Sequence, residues 1–167
     1  MKEILLTRSK VALVDDEDFE KLSRFKWQAK KSLRTFYAVR TQWTSKTTRI
    51  YLVMHRVILG LEHADKRQCD HKNGNGLDNR RSNIRIATKR ENSYNHTLVR
   101  SSNGFKGVYF AKHKATAQKP YRAFIKKGKQ IYLGCFETAK LAALAYDTAA
   151  IELFGEFACT NASLGLL

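Results

Sequence analysis

Apolar residues fall along this chain in short runs bounded by polar and turn residues, the pattern of small strands with a few short helices between them. Residues 4–7 and 10–14 carry the first two runs, and DDED at 15–18 then opens a short helix that ends near Arg24. The carboxylates suit the free backbone donors and the positive end of that helix, so capping is their expected job. Trp27 anchors the chain beyond the helix. Residues 36–40 and Arg49–Val53 predict a hairpin closed by the polar loop TQWTSKTT. Its outward basic and aromatic residues suit a solvated sheet face and a phosphate-contacting surface equally. Met54, His55 and Arg56 then lead into VILGLEH, predicted as a helix packed behind the next hairpin.

The middle of the chain changes rhythm. Residues 67–71 predict a strand, 72–83 a turn and Ile84–Ala87 the returning strand, because Asn73-Gly74 and Asn75-Gly76 tolerate positive φ. Thr88-Lys89-Arg90-Glu91 fits the capping box that starts a helix, with Asn92 one turn in. Adjacent residues on a strand point to opposite faces, so Asp70 and His71 share a site only near a twisted strand end. On these elements Asp70 and Asn92 are able to converge on one cation through oxygen atoms, with His71 beside it. Hard oxygen donors suit a magnesium-like ion that keeps several waters. Arg80, Arg81 and Arg85 lie close by, and guanidinium forks of this kind grip phosphate oxygens in pairs.

A polar linker at 96–103 separates a second module. Residues 107–112, 121–126 and 130–136 predict three antiparallel strands, the last two joined by Lys127-Gly128-Lys129. A helix is expected over 138–154, stopped by Gly155, with Leu141, Ala142, Ala145, Tyr146, Ala149 and Leu153 turned to the sheet. Between 101 and 136 there are eight Lys or Arg and no acid. The open sheet face is therefore expected to be basic and to meet nucleic acid; a three-stranded ribbon fits the DNA major groove. Phosphate contacts alone serve RNA equally well.

Charge strengthens that picture. The 167 residues hold 31 Lys and Arg against 15 Asp and Glu, a net +16 that favours a polyanionic partner through counterion release. No apolar run approaches a membrane span, no basic amphipathic helix offers a membrane-surface alternative, and the N-terminus lacks a signal-peptide core. A cytoplasmic protein is expected. Cys69, Cys135 and Cys159 are odd in number and form no CxxC pair, so a disulfide framework is not expected. His63, Cys69 and His71 lack a fourth ligand for zinc.

The order Asp70-His71, Asn83, Asn92 around GNGLDNRRSNIRIAT resembles the HNH (His-Me finger) nucleases, in the form of phage and intron homing endonucleases where asparagine replaces the later histidine. The resemblance implies a ββα-metal fold in which His71 is the general base, Asn83 holds its imidazole, and Asp70 and Asn92 ligate the metal. It also draws His55 towards the site, against the alternative of a histidine bonded within the core. GVYFAKHK, YRAFI and LGCFETAKLAALAYDTAA resemble the apetala-type (ethylene-response-factor) DNA-binding domain over residues 104–161. By that likeness Tyr109, Lys112, Lys114, Arg122 and Lys126 contact DNA. The plant pattern has a tryptophan where this chain has Pro120-Tyr121, and more arginines on its sheet.

Together these readings predict an α+β chain. A β-rich region at 1–60 precedes a nuclease core at 61–98, and a three-stranded antiparallel sheet packed on one helix follows at 104–161. The expected activity is DNA endonuclease chemistry with Mg2+ or Mn2+ and no small-molecule cofactor. Its partner would be double-stranded DNA, met by a monomer or a transient dimer in a bacterial host, with a phage or mobile element as source. The rival is a DNA-binding regulator whose nuclease core is vestigial.

Overall fold

Apolar residues from the short strands and helices of the N-terminal half meet in one buried cluster in the computed structural model. The structure describes residues 1–32, 35–97, 99, 101–111 and 118–167. They divide into two units, Met1–Asn92 and Ser93–Leu167.

In the first unit β1 (Lys2–Leu5) pairs antiparallel with β2 (Val11–Val14), and α1 (Asp16–Ser23) follows. A three-stranded sheet of order β3-β4-β5 is built from Gln28–Lys31, Phe36–Trp43 and Arg49–Val53. Then come α2 (Met54–Ile58), the hairpin β6 (Gln68–His71) with β7 (Ile84–Ala87), and α3 (Lys89–Tyr94), which runs across the boundary between the units. Ile4, Val14, Leu22, Trp27, Ala38, Met54, Ile58 and Ile84 belong to one buried cluster. The segments expected at 1–60 and 61–98 thus share a core. Trp27 belongs to that core, and its indole nitrogen donates back to the Leu22 carbonyl of α1 at 2.9 Å.

Three local expectations change. β3 escapes the alternation rule because QAKK turns only Ala29 inward. The helix expected over VILGLEH starts earlier and stops at Ile58, and Gly60 turns out of it at φ 67°. Arg56 then secures the following loop, donating to the carbonyls of Glu62, Asp65 and Arg67 at 3.0, 2.7 and 2.8 Å. The third change concerns DDED. Asp15 occupies the N-cap position of α1 but makes no side-chain capping bond. Its carboxylate instead accepts from the Arg81 backbone N–H at 2.7 Å. Asp18, buried, takes the Arg81 guanidinium through two bonds of 2.8 Å, and Glu17 lies 2.6 Å from the same side chain.

In the second unit the sheet order is β10-β9-β8, from Val108–Phe110 (β8), Tyr121–Lys127 (β9) and Lys129–Phe136 (β10), all antiparallel. α4 (Ala139–Phe154) covers one face; Thr138 caps it by accepting from the Leu141 N–H, and Gly155 ends it. Ala142, Ala143 and Ala150 are completely buried, which lets the helix lie close to the strands. Leu141 does not face the sheet as expected: it is 47 % exposed. The chain end is tied down by Asp147, which is buried and accepts from the backbone N–H groups of Asn161 and Ala162 and from the Asn161 amide.

The turn between β6 and β7 is held against the three-stranded sheet at Gly76, whose N–H donates to Thr35 Oγ1 at 2.9 Å. A Cβ there would stand 2.5 Å from the Phe36 carbonyl and 2.6 Å from the Tyr37 ring. Gly76→Ala should therefore destabilise the protein by about 1–3 kcal/mol, the usual cost of overpacking. Urea unfolding followed by tryptophan fluorescence reads it, because Trp27 and Trp43, the two tryptophans, both lie in the first unit. An unchanged midpoint would show that the turn relaxes away from the sheet.

Candidate active site

Antiparallel register decides what the buried end of β6 sees. Asp70 stands opposite Arg85 across the hairpin, and His71 opposite Ile84. All of Asp70, His71 and Arg85 are under a tenth exposed. A carboxylate at that depth needs a counter-charge, and Arg85 provides it through Nε and Nη2, at 2.9 and 2.6 Å from Asp70 Oδ2.

His71 points to the other side of the strand, into a small aromatic cluster. Its ring centre is 4.8 Å from that of His55, edge-on, and 5.8 Å from that of Tyr37. Asn79, fully buried, offers Oδ1 to His71 Nε2 at 3.3 Å, while its own Nδ2 donates to the Leu77 carbonyl. The amide is thus oriented with its oxygen to the ring, so Nε2 carries the proton and Nδ1 is the lone-pair nitrogen. The loop that delivers Asn79 is stitched to β2: Leu13 N–H donates to Leu77, and Asn79 N–H donates back to Leu13. Burial pushes the His71 pKa below the ordinary 6.5, opposed by the Asn79 bond and the charges of Asp70 and Asp78. His55 is driven further, to about 3, by burial first and then by the nearby His71 and Arg56 charges. Its Nδ1 is buried without a hydrogen-bond partner among the described residues. Tyr37 is pushed up by burial and by the Asp70 charge.

The amide expected to hold the imidazole does something else. Asn83 accepts from the Asn73 N–H at 3.1 Å and donates to Asn73 Oδ1 and the Asp78 carbonyl at 3.0 and 2.8 Å. It closes the loop, and Asn79 bonds the ring. Sequence reasoning passed over Asn79 because an asparagine in a glycine-rich loop reads as a turn former.

The capping box that predicts α3 is present: Thr88 N–H donates to Glu91 and Glu91 N–H to Thr88 Oγ1. Asn92 Nδ2 donates to Gln68 Oε1 at 2.8 Å. Gln68 and Asp70 are two residues apart on β6 and share a face, so Asn92 lies over the face that carries Asp70. With its Nδ2 engaged, the atom that Asn92 could offer a cation is Oδ1. One carboxylate and one carboxamide oxygen are hard donors, a set that fits a divalent cation retaining water. Among the described residues no three His, Cys, Asp or Glu side chains gather as a richer metal cluster.

The remaining loop arginines have carboxylate partners inside the chain. Arg80 holds Asp78 through two bonds of 2.7 Å, and Arg81 holds Asp18. Their guanidinium-bearing side chains stay 37 % and 48 % exposed, against 9 % for Arg85. Arg80 and Arg81 thus keep part of their side chains open to solvent, whereas Arg85 is enclosed with Asp70.

In the second unit Arg122, Phe124 and Lys126 alternate with the buried Ala123 and Ile125 on β9, so they lie on the face away from α4. Tyr109 and Tyr132 flank Phe124 there, with ring centres 5.8 and 5.3 Å from it. Two lysines expected on that open face are used elsewhere. Lys106 donates to the carbonyls of His96 and Cys159, and Lys127 donates to the Leu153 carbonyl of α4. Lys112 and Lys114 lie outside the described residues.

Comparison with known proteins finds likeness in the middle of the chain. Residues 54–94 match the HNH endonuclease family. An uncharacterized HNH endonuclease of Acanthamoeba polyphaga mimivirus is 28 % identical over 159 residues, 94 % of this chain and 79 % of that protein. No solved structure matches significantly. No helix among the described residues is long and apolar enough to cross a membrane. Residues 54–94 are thus similar to HNH endonucleases, and the likeness to the viral protein is distant.

Burial of His55 has a measurable consequence. Its folded pKa of about 3 lies below the ordinary 6.5, so the unfolded chain takes up the proton first. The stability contributed by the neutral ring is complete above pH 6.5 and is lost progressively as pH falls towards 3. Urea midpoints should fall between pH 6.5 and about 5, above the range where carboxylates dominate, and His55→Phe should flatten that decline. A variant with the native slope would show that His55 is not buried in its neutral form.

Proposed function

We propose that the chain is a metal-dependent DNA endonuclease that hydrolyses a phosphodiester bond, with His71 as general base. The observation that supports this best is the buried imidazole held by Asn79 on the opposite face of the strand from Asp70, its neighbour in sequence, in a segment that matches the HNH endonuclease family. With Nε2 protonated and bonded, Nδ1 is the atom that accepts a proton from the attacking water. The depressed pKa keeps the ring neutral, and so competent as a base, at physiological pH. Asn83 acts through the loop that presents Asn79, as a positioning residue.

Asp70 and Asn92 would hold a divalent ion, Mg2+ or Mn2+. When bound, that ion supplies Lewis-acid stabilisation of charge on the phosphate and the leaving 3′ oxygen. Arg85 neutralises Asp70 within the chain, and Arg80 and Arg81 present guanidinium edges to the substrate strand. Products would carry 5′-phosphate and 3′-hydroxyl ends.

The second unit is the duplex-gripping module of this proposal. Its three-stranded sheet on one helix is the architecture implied by the apetala-type likeness, and Tyr109, Arg122 and Lys126 share the open face. Lys112 and Lys114 would add to them.

Plasmid nicking with Mg2+ or Mn2+ tests the nuclease reading. His71→Ala should lose about 10²-fold or more of the rate while binding DNA as before. Equal rates would remove His71 from the mechanism, and absence of cutting by the native protein with DNA binding intact would favour the vestigial-core regulator. A separate measurement tests the sheet. Arg122→Ala combined with Lys126→Ala should weaken duplex binding and reduce the slope of log K against log salt by about one unit per lost phosphate contact. An unchanged slope would place the duplex on another surface.

A further inference from the structure

A helix that packs on a sheet needs one apolar stripe, and α4 has two. Ala142, Ala143, Tyr146 and Ala150 are buried on the sheet side. On the opposite side Leu141, Leu144 and Ile151 are 47, 46 and 59 % exposed. Together with Thr148, also exposed, they recur at intervals of three, four and three residues. That is the spacing at which side chains line up as a seam for another helix. Thr148 is compatible with an apolar seam, because its hydroxyl donates to the Leu144 carbonyl at 3.2 Å and is satisfied within the helix.

The charges at the two ends of the seam identify the occupant. Lys140 precedes it and Glu152 follows it, and both are exposed. We infer that this face pairs with the same face of a second copy of the chain, the two helices running antiparallel about a two-fold axis near Tyr146. That arrangement sets Leu141 of each copy against Ile151 of the other, Leu144 against Thr148, and Lys140 against Glu152. The two-fold repeats every contact. A parallel pair would set lysine against lysine and glutamate against glutamate, which like-charge repulsion disfavours. A polar or acidic groove offered by a different protein would match only one end of the stripe, whereas the antiparallel copy matches both.

The seam of one 16-residue helix is about 24 Å long, so it buries less than the roughly 1,200–2,000 Å² of a stable interface. Pairing is accordingly weak and concentration-dependent. Each chain also carries +16, so a polyanion that screens the repulsion favours the pair. The pairing itself does not depend on the nuclease reading. If that reading holds, each assembly contains two Asp70–His71 sites, one for each strand of a duplex.

Sedimentation equilibrium over a range of concentrations tests this. The average mass of the full chain should rise from the monomer towards twice that value, and Leu144→Glu with Ile151→Glu should hold it at the monomer with unchanged circular dichroism. Lys140→Glu alone should weaken association several-fold, and Lys140→Glu combined with Glu152→Lys should restore it. A chain that stays monomeric at its highest attainable concentration overturns the proposal. So does a dimer indifferent to the double glutamate variant. Failure of the charge exchange to restore association overturns the antiparallel register. None of these readouts involves cutting, so failure of the nuclease reading would leave them untouched.

Discussion

A carboxylate buried at the end of a short strand is the constraint around which the first unit is arranged. Asp70 sits where water is largely excluded, and an isolated charge there would cost several kcal/mol. The hairpin register answers this by setting Arg85 directly across from it. That pairing in turn fixes the alternation of β6, so that Gln68 faces Asn92 on one side while His71 turns to Tyr37 and His55 on the other. The imidazole then needs a polar partner at a buried position. The loop stitched to β2 brings Asn79 to it, and Asn83 closes that loop from within.

The same logic of charge satisfied inside the chain runs through the rest of the unit. Asp15, Glu17 and Asp18 hold Arg81, Asp78 holds Arg80, and Asp65 holds Arg67 at 2.7 Å. Acid and base therefore offset each other locally around the hairpin. In the second unit the acids lie outside the strands, and Asp147 serves to anchor the chain end through Asn161. Arg122 and Lys126 are left on a sheet face shared with three aromatic rings. The net charge of the chain is thus distributed by element and is not a property of the whole surface alike.

Features set by short intervals in the sequence were legible in advance. The β6–β7 hairpin follows from glycines that permit its turn. α3 follows from Thr88 and Glu91, and α4 from a capping threonine and a terminating Gly155. Each depends on residues within a few positions of one another, so backbone geometry alone carries the information. The alanines that let α4 approach the sheet belong to the same class. The two sides of α4 do not, because an apolar residue on both faces removes the contrast that periodicity reads; Leu141 falls outward although hydrophobic.

By itself, then, the sequence determined the order of strands and helices apart from β3, the basic character of the second unit and the presence of Asp70 and His71 at one strand end. Only the tertiary structure decided which partners those side chains meet. That Arg81 would be held by Asp18, 63 residues earlier, and that Asn79 would bond His71 while Asn83 secured the loop, depend on how β2 lies against the loop and on the register across the hairpin. Such partnerships are fixed by contacts between distant segments, and a pattern of neighbouring residues holds no distance between them.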